Sequence, residues 1–328
     1  MKQRVFKPNV LFPAGLIAAL AILPHFLPIY WMSIVIYTLW ISYICVTWNI
    51  LASSGTYSLM HMLFVGGGAY LSTFLFKHFG ISPWLGMLGG AAMGAVLSVA
   101  IGYLCFRYNL PTFAFFVITM AFSFIGMFVV QSIKIFGGNE GMYIPIRSTD
   151  VWNFAFVGKL PYYYIILAMV IGAMVCAFLI SRSKTGLYLR AIGAEPRVAA
   201  AMGVDVMGYK LRALAISAAL SSLAGTFWAQ YSGFIDPVSM LSPTTMMIVL
   251  LFVIVGGAGT TWGPLVATVI LVPLGEYLRG KITGPSFAGI STMLWAVVIL
   301  ILIFSLKKGI LPWIEERMRN RQRSARST

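Results

Sequence analysis

Long apolar stretches follow one another along the chain, and the short segments between them hold nearly all of its charged residues. A membrane-spanning helix needs about 20 mostly apolar residues. Ten stretches approach or reach that length, near residues 10–30, 32–52, 57–76, 83–106, 110–132, 161–181, 210–231, 241–256, 262–279 and 288–306. The eighth and ninth are short and could instead form one re-entrant pair. The pattern therefore predicts an all-α, polytopic helical integral membrane protein with eight to ten transmembrane helices, ten being the best single count.

Composition supports this prediction. Of the 328 residues, 60% are hydrophobic and only 9% are charged, whereas a soluble domain carries about 25% charged residues. A soluble enzyme, a secreted disulfide-linked domain and a disordered chain are therefore excluded. The three cysteines lie in apolar stretches and have neither a disulfide pattern nor metal-ligand spacing.

The positive charges predict an orientation for these spans. If the N-terminus lies inside, ten spans place 17 Lys and Arg residues on the inner side and 6 on the outer side. Cytoplasmic loops carry an excess of Lys and Arg, so both termini are predicted to be cytoplasmic. The chain then divides into a cytoplasmic N-terminus (1–9), a membrane domain (10–306) and a basic cytoplasmic tail (307–328). Within the membrane domain, 133–160 is an outer loop and 182–210 an inner loop.

Two of the predicted spans carry small residues at helical spacing. Because lipid is as apolar as leucine, membrane helices associate through small residues that let their backbones approach closely. The stripes are Gly86, Gly90, Gly94, Ser98 and Gly102 in one span, and Ser217, Ser221 and Gly225 in the other. They predict tight helix packing within the chain; contact with a second subunit is the alternative.

Two short polar or glycine-rich breaks lie between spans and carry no charge. They are Ser53–Gly55 and Gly256–Gly259. Non-helical backbone at membrane depth is tolerated only where protein or a water-filled cavity covers it. Because transporters bind solutes at such broken helices, we expect a solute pathway near these breaks.

The sequence offers little that could serve catalysis or ion coupling. It contains no phosphate-binding loop, nucleophile elbow or metal-ligand cluster. None of the eight acidic residues falls at the middle of a predicted span, although ion-coupled carriers usually need an ionisable group there. Glu276 comes closest and is expected to pair with Arg279 or to extend its carboxylate to the membrane surface. His61 is expected to make a structural hydrogen bond, with a proton relay as the alternative. The pattern predicts a translocation path powered by a partner. An ion-coupled secondary transporter or facilitator, and a membrane-embedded scaffold or enzyme subunit, remain alternatives.

The inner loop contains a candidate docking site for that partner. Pro196 suits the first position of a helix and Gly203 suits its end, with three alanines, 199–201, between them. Small side chains let a short helix enter a groove on another protein. An amphipathic surface helix is the alternative interpretation.

Several motifs together resemble the branched-chain amino acid permease family of ABC importers, most closely its LivM-type subunit. They are Ser54–His61, Gly137–Gly141, Ser181–Ala229 and Gly256–Thr260. The resemblance implies a bacterial inner-membrane importer with a second, LivH-type permease subunit, two cytoplasmic ATPases and an extracytoplasmic solute-binding protein. This chain would bind no cofactor, metal or nucleic acid, and its partners would hydrolyse ATP. Branched-chain or other apolar amino acids are the expected solutes; urea, short amides and aromatic amino acids remain open.

The same resemblance implies two sets of site residues. Those expected to couple to the ATPase are Arg190, Glu195, Pro196, Arg197, Ala199, Ala200 and Gly203. Those expected to border the solute pathway are Ser54, Gly55, Tyr57, Ser58, His61, Gly137, Gly138 and Asn139.

Overall fold

The chain forms a bundle of helices joined by short connections. The computed structural model describes residues 20, 22–108, 110–145, 149–281, 288–305, 309–313 and 317. The α-helices in this part of the chain are α1 (Ile29–Ala52), α2 (His61–Phe74), α3 (Pro83–Arg107), α4 (Thr112–Ser132), α5 (Leu160–Arg182), α6 (Lys184–Ala194), α7 (Pro196–Ala201), α8 (Val206–Ser232), α9 (Pro237–Leu241), α10 (Pro243–Gly256), α11 (Gly263–Lys281) and α12 (Ala288–Ser305). A π-helical turn, Leu75–Phe79, extends α2. The predicted helical architecture is confirmed.

One small antiparallel sheet joins two of the connections. Its strands are β1 (Met142–Tyr143) and β2 (Phe234–Ile235), with Met142 opposite Ile235. The pairing ties the long segment after α4 to the end of α8. This side of the molecule is called the β1–β2 end below, and the side that carries α6 and α7 is called the α6–α7 end.

Five of the described helices, α1, α3, α4, α5 and α8, are long and apolar enough to cross a membrane. The chain is therefore a multi-pass membrane protein. Helices α2 and α10 have 14 residues each, which is shorter than a full span. The predicted first span, the N-terminal segment 1–9 and the basic tail lie largely outside the described residues.

Helix α2 begins four residues later than the apolar pattern predicts. The pattern places the start of the span at Tyr57, but residues 56–59 are not helical and α2 begins at His61. The indole of Trp48 donates a hydrogen bond to the Ser58 carbonyl at 2.8 Å. The Leu59 N–H donates to Thr119 and its carbonyl accepts from Ser123. Because side chains of α1 and α4 satisfy this backbone, the segment can stay non-helical while buried.

Helix α8 packs against α1, α2 and α3, and the small residues lie at these contacts. The α3 stripe is buried along its whole length. A Cβ on Gly90 would lie 3.0 Å from the Cα of Gly68 on α2, and one on Gly102 would lie 2.6 Å from Leu214 on α8. A Cβ on Gly225 would overlap the Val65 carbonyl. Helix α2 therefore meets both α3 and α8 backbone to backbone.

The segment 182–210 holds two helices, where the sequence predicted a loop with one short helix. Helix α7 begins at Pro196, and Gly203 beyond its end has φ +81°. Helix α6 precedes it, capped by the Ser183 hydroxyl, which accepts from the Gly186 N–H at 3.4 Å. The buried residues of α6 recur every three positions, which is the helical signal that sequence analysis missed; they are Gly186, Leu189 and Ile192.

Candidate functional site

Two non-helical segments meet at the end of α1. The side-chain oxygen of Asn49 accepts a hydrogen bond from the Gly259 N–H at 2.8 Å, and its amide group donates to the Thr260 carbonyl at 2.8 Å. These bonds tie α1 to the turn between α10 and α11. One turn beyond Asn49, α1 ends and the chain continues through the non-helical turn Ser53–Gly55. We call this meeting point of Asn49, Ser53–Gly55 and Gly257–Thr260 the glycine junction.

Helix α6 packs directly on the glycine junction. A Cβ on Gly193 would lie 2.8 Å from the Ser53 carbonyl oxygen, and one on Gly55 would lie 3.1 Å from the Gly193 Cα. Asn49, Gly259 and Arg190 of α6 are among the residues that line a small cavity of about 30 Å³. The Arg190 guanidinium itself donates to the Ser181 carbonyl at 2.9 Å. Helix α6 and the glycine junction are therefore in direct backbone contact.

All but one of the other residues expected to couple to an ATPase lie at the surface. Exposed positions are Glu195, Pro196, Arg197, Ala200 and Gly203, while Ala199 is buried. Two apolar side chains on this surface were not among the expected residues: Val198 is 60% exposed and Met202 is 80% exposed.

A chain of buried hydrogen bonds joins α1, α2 and α8. The His61 Nε2 lies 2.7 Å from the Ser217 hydroxyl, which donates to the Thr47 carbonyl at 2.7 Å. The Thr47 hydroxyl lies 3.0 Å from that of Ser221. Further along, the Thr226 hydroxyl donates to the Gly68 carbonyl at 3.2 Å. We call this line of uncharged groups the polar seam; it includes the expected hydrogen bond of His61.

The residues expected to border a pathway fall into two places. Ser54, Gly55, Tyr57, Ser58 and His61 lie at the α6–α7 end, where the Tyr57 ring stacks on Trp48 with centroids 5.9 Å apart. The other three lie at the β1–β2 end; they are Gly137, Gly138 and Asn139. Phe136, just before them, contacts the rings of Tyr70 and Phe74 in the last turns of α2. The structure does not bring the two groups together, because α2 separates them.

Sequence analysis missed several uncharged polar residues of this region. Thr47, Asn49 and Gln230 are polar positions inside apolar helices and are buried. A lone Asn or Gln in an apolar span is itself a signal, since a polar group in a membrane needs a partner.

Charged groups are scarce within the membrane helices. Glu276 pairs with Arg279 at 3.0 Å, which confirms the expected ion pair. In the described part of the chain, no group of three His, Cys, Asp or Glu residues could hold a metal ion. The arrangement is therefore one of neutral hydrogen-bonding groups between closely packed helices.

The family described as branched-chain amino acid transport system / permease component matches residues 30–306. The chain belongs to this family. The resemblance drawn from the sequence motifs is thereby confirmed, and this permease is a transport component of an ABC transporter rather than an enzyme.

Individual relatives of the permease are distant and are named for different solutes. The high-affinity branched-chain amino acid transport system permease protein LivM of Escherichia coli is 22% identical over 79% of this chain and 64% of its own length. The fructose import permease protein FrcC of Rhizobium meliloti is 24% identical over 75% of this chain and 67% of its own. The nucleoside ABC transporter permease protein NupC of Lactococcus lactis is 24% identical over 46% of this chain and 49% of its own length. No solved structure matches the chain.

Proposed function

We propose that this permease is the membrane-spanning subunit of an ABC importer for a small polar solute, with branched-chain or other apolar amino acids as the first candidates. A separate ATPase powers it. The observation that carries the proposal is the direct contact between Gly193 of α6 and Ser53 of the glycine junction. That contact joins the surface expected to meet an ATPase to the non-helical segments expected to border the path.

In this proposal, α7 docks on the ATPase. Val198 and Met202 provide an apolar contact, since both are largely exposed. The segment that contains α7 is also rich in Lys and Arg. By the positive-inside rule this segment and both termini are cytoplasmic, and 133–160 is extracytoplasmic. ATP-driven movement of α7 then shifts α6, which presses on Ser53–Gly55 and, through Asn49, on the turn between α10 and α11.

The solute path follows the polar seam. Its groups are hydroxyls, an imidazole and backbone carbonyls, which can replace the hydration of a polar solute that carries no net charge. The seam runs beside the two breaks in this chain, Ser53–Gly55 and Gly256–Gly259. Transporters of other folds bind their solutes at breaks of this kind.

The remaining parts of the assembly come with the family. They are a second permease subunit, of the LivH type in a heterodimer, two cytoplasmic ATPases and an extracytoplasmic solute-binding protein, assembled in a bacterial cytoplasmic membrane. This chain binds no cofactor, and ATP is used by the ATPases.

Sugars or nucleosides are a second candidate class of solute. The relatives FrcC and NupC are named for fructose and nucleosides. The hydroxyl groups of the polar seam suit such hydroxyl-rich solutes as well as an amino acid.

The docking assignment is tested with Glu195→Lys and Gly203→Arg in the reconstituted transporter. Both variants are expected to uncouple ATP hydrolysis from uptake and to weaken co-purification of the ATPase. The control is Tyr143→Arg at the β1–β2 end, where Tyr143 is 75% exposed, and it should couple normally. Unchanged co-purification in both variants contradicts the docking site. Solute accumulation by this chain alone, driven by a proton or sodium gradient, contradicts the ABC mechanism.

A further inference from the structure

Three buried polar atoms near the β1–β2 end have no hydrogen-bond partner among the described residues. They are the Tyr70 hydroxyl, the Thr73 hydroxyl and the Gln230 side-chain nitrogen. Their side chains are almost fully buried, with exposures of 3%, 0% and 7%. Buried polar groups in native proteins are nearly always paired, so each such atom calls for a functional or structural reason.

The packing of α2 on α8 places two of these groups at the same height. Thr226 of α8 bonds to the Gly68 carbonyl of α2, and a Cβ on Gly225 would lie 2.9 Å from the Ala69 nitrogen. Residues four apart on a helix lie on the same face, one turn above each other. Gln230 is therefore one turn beyond Thr226, and Thr73 is one turn beyond Ala69. Both continue the polar seam toward the β1–β2 end.

Tyr70 borders the same region from the side of α9. A Cβ on Gly66, one turn earlier on α2, would lie 2.9 Å from the Met240 carbonyl of α9. The Tyr70 ring also lies 6.0 Å, centroid to centroid, from that of Phe136. The Tyr70 side chain is thus packed on the side of α2 that faces α9 and the segment preceding β1.

All three groups can donate a hydrogen bond and none is charged at neutral pH. We propose that Tyr70, Thr73 and Gln230 form a solute-binding site at the β1–β2 end of the polar seam. Its ligand is a solute that presents several oxygen acceptors, either the carboxylate of an amino acid or the hydroxyls of a sugar or nucleoside. This inference rests on the proposed function, because it assigns a binding site to the proposed path.

The test uses the complete transporter in proteoliposomes, with ATP inside and leucine, fructose and uridine as separate probes. The variants are Tyr70→Phe, Thr73→Val and Gln230→Met, which remove a donor with little change in volume. Each is expected to raise the KM for the accumulated probe about three- to tenfold, the loss of roughly one hydrogen bond. Because the donors have no protein partner, the melting temperature should stay unchanged or rise.

Two partnered groups provide matched controls. The Tyr163 hydroxyl donates to the Leu20 carbonyl at 2.5 Å, and the Thr38 hydroxyl donates to the Ile34 carbonyl at 2.7 Å. Tyr163→Phe and Thr38→Val should lower the melting temperature and leave KM unchanged, which is the reverse pattern.

The outcomes separate the site from the function. Accumulation of leucine indicates the carboxylate as the ligand group, and accumulation of fructose or uridine indicates hydroxyls. If a probe accumulates and its KM stays within about twofold of the wild type in all three variants, the binding site is wrong and the proposed function stands. If Gln230→Met does not fold, the KM values of Tyr70→Phe and Thr73→Val decide whether the binding site is correct. If no probe accumulates with ATP, the proposed function fails and the site fails with it.

Discussion

Gly193 of α6 rests against Ser53 at the end of α1, so closely that a Cβ on Gly193 would lie 2.8 Å from the Ser53 carbonyl oxygen. The two residues are 140 positions apart in the chain. Only a residue without a side chain lets a surface helix come this close to the backbone of the turn, whose residues Ser53 and Gly55 are half-buried. The contact makes α6 the connection between the exposed α7 and the end of α1.

Gly193→Val is expected to impair coupling. The added side chain must push α6 away from Ser53, and overpacking of this kind costs about 1–3 kcal/mol. We expect ATP-dependent uptake to fall roughly tenfold while the ATPase still co-purifies, because α7 is untouched. Ala191→Ser, on an exposed position of the same helix, is the control. Normal uptake per ATP hydrolysed in Gly193→Val would show that the contact does not transmit movement.

Asn49→Ala is expected to destabilise the glycine junction. It removes two hydrogen bonds and leaves the Gly259 N–H and the Thr260 carbonyl without their partner. The expected loss is about 1–3 kcal/mol in the free energy of unfolding, measured by denaturant titration in micelles. Ser53→Ala is the control, since the Ser53 hydroxyl bonds only to Ile50 of its own segment; it should change stability by less than about 0.5 kcal/mol. Equal losses in the two variants would contradict the role of Asn49.

Gly225→Ala and Gly172→Ala should have opposite effects on stability. A Cβ at Gly225 would overlap the Val65 carbonyl, whereas one at Gly172 meets nothing within 4 Å. We expect Gly225→Ala to lower the free energy of unfolding by about 1–3 kcal/mol or to prevent folding. Gly172→Ala, inside α5, should raise it by about 0.5–1 kcal/mol through the better helix propensity of alanine. If Gly225→Ala leaves the free energy of unfolding unchanged, the close contact between α2 and α8 at Gly225 does not contribute to stability.

His61 and Ser217 should be energetically coupled. In a double-mutant cycle, His61→Leu and Ser217→Ala are expected to show an interaction free energy of about 0.5–1.5 kcal/mol, because their side chains lie 2.7 Å apart. The exposed His78 is the control, and His78→Leu should be additive with Ser217→Ala. Additivity for both pairs would show that the His61 contact adds nothing to stability.

Much of the helical framework follows from local sequence. Apolar stretches predict α1, α3, α4, α5 and α8, because about 20 apolar residues are stable in lipid only as a helix. The boundaries of α7 also follow from local rules, since proline fits a first turn and glycine adopts the positive φ found at Gly203. The helical spacing of small residues along α3 likewise marks the face that is buried in the bundle.

The sequence by itself therefore determined which long segments are helical, which face of α3 is buried and which family the motifs resemble, because periodicity, composition and turn chemistry act over a few neighbouring residues. Only the tertiary structure decided that α2 begins at His61, that α6 touches Ser53 and that Asn49 holds Gly259, 210 positions away. These contacts depend on how each helix is rotated and shifted against its neighbours. That register is set by the packing of the whole bundle, which no single segment encodes.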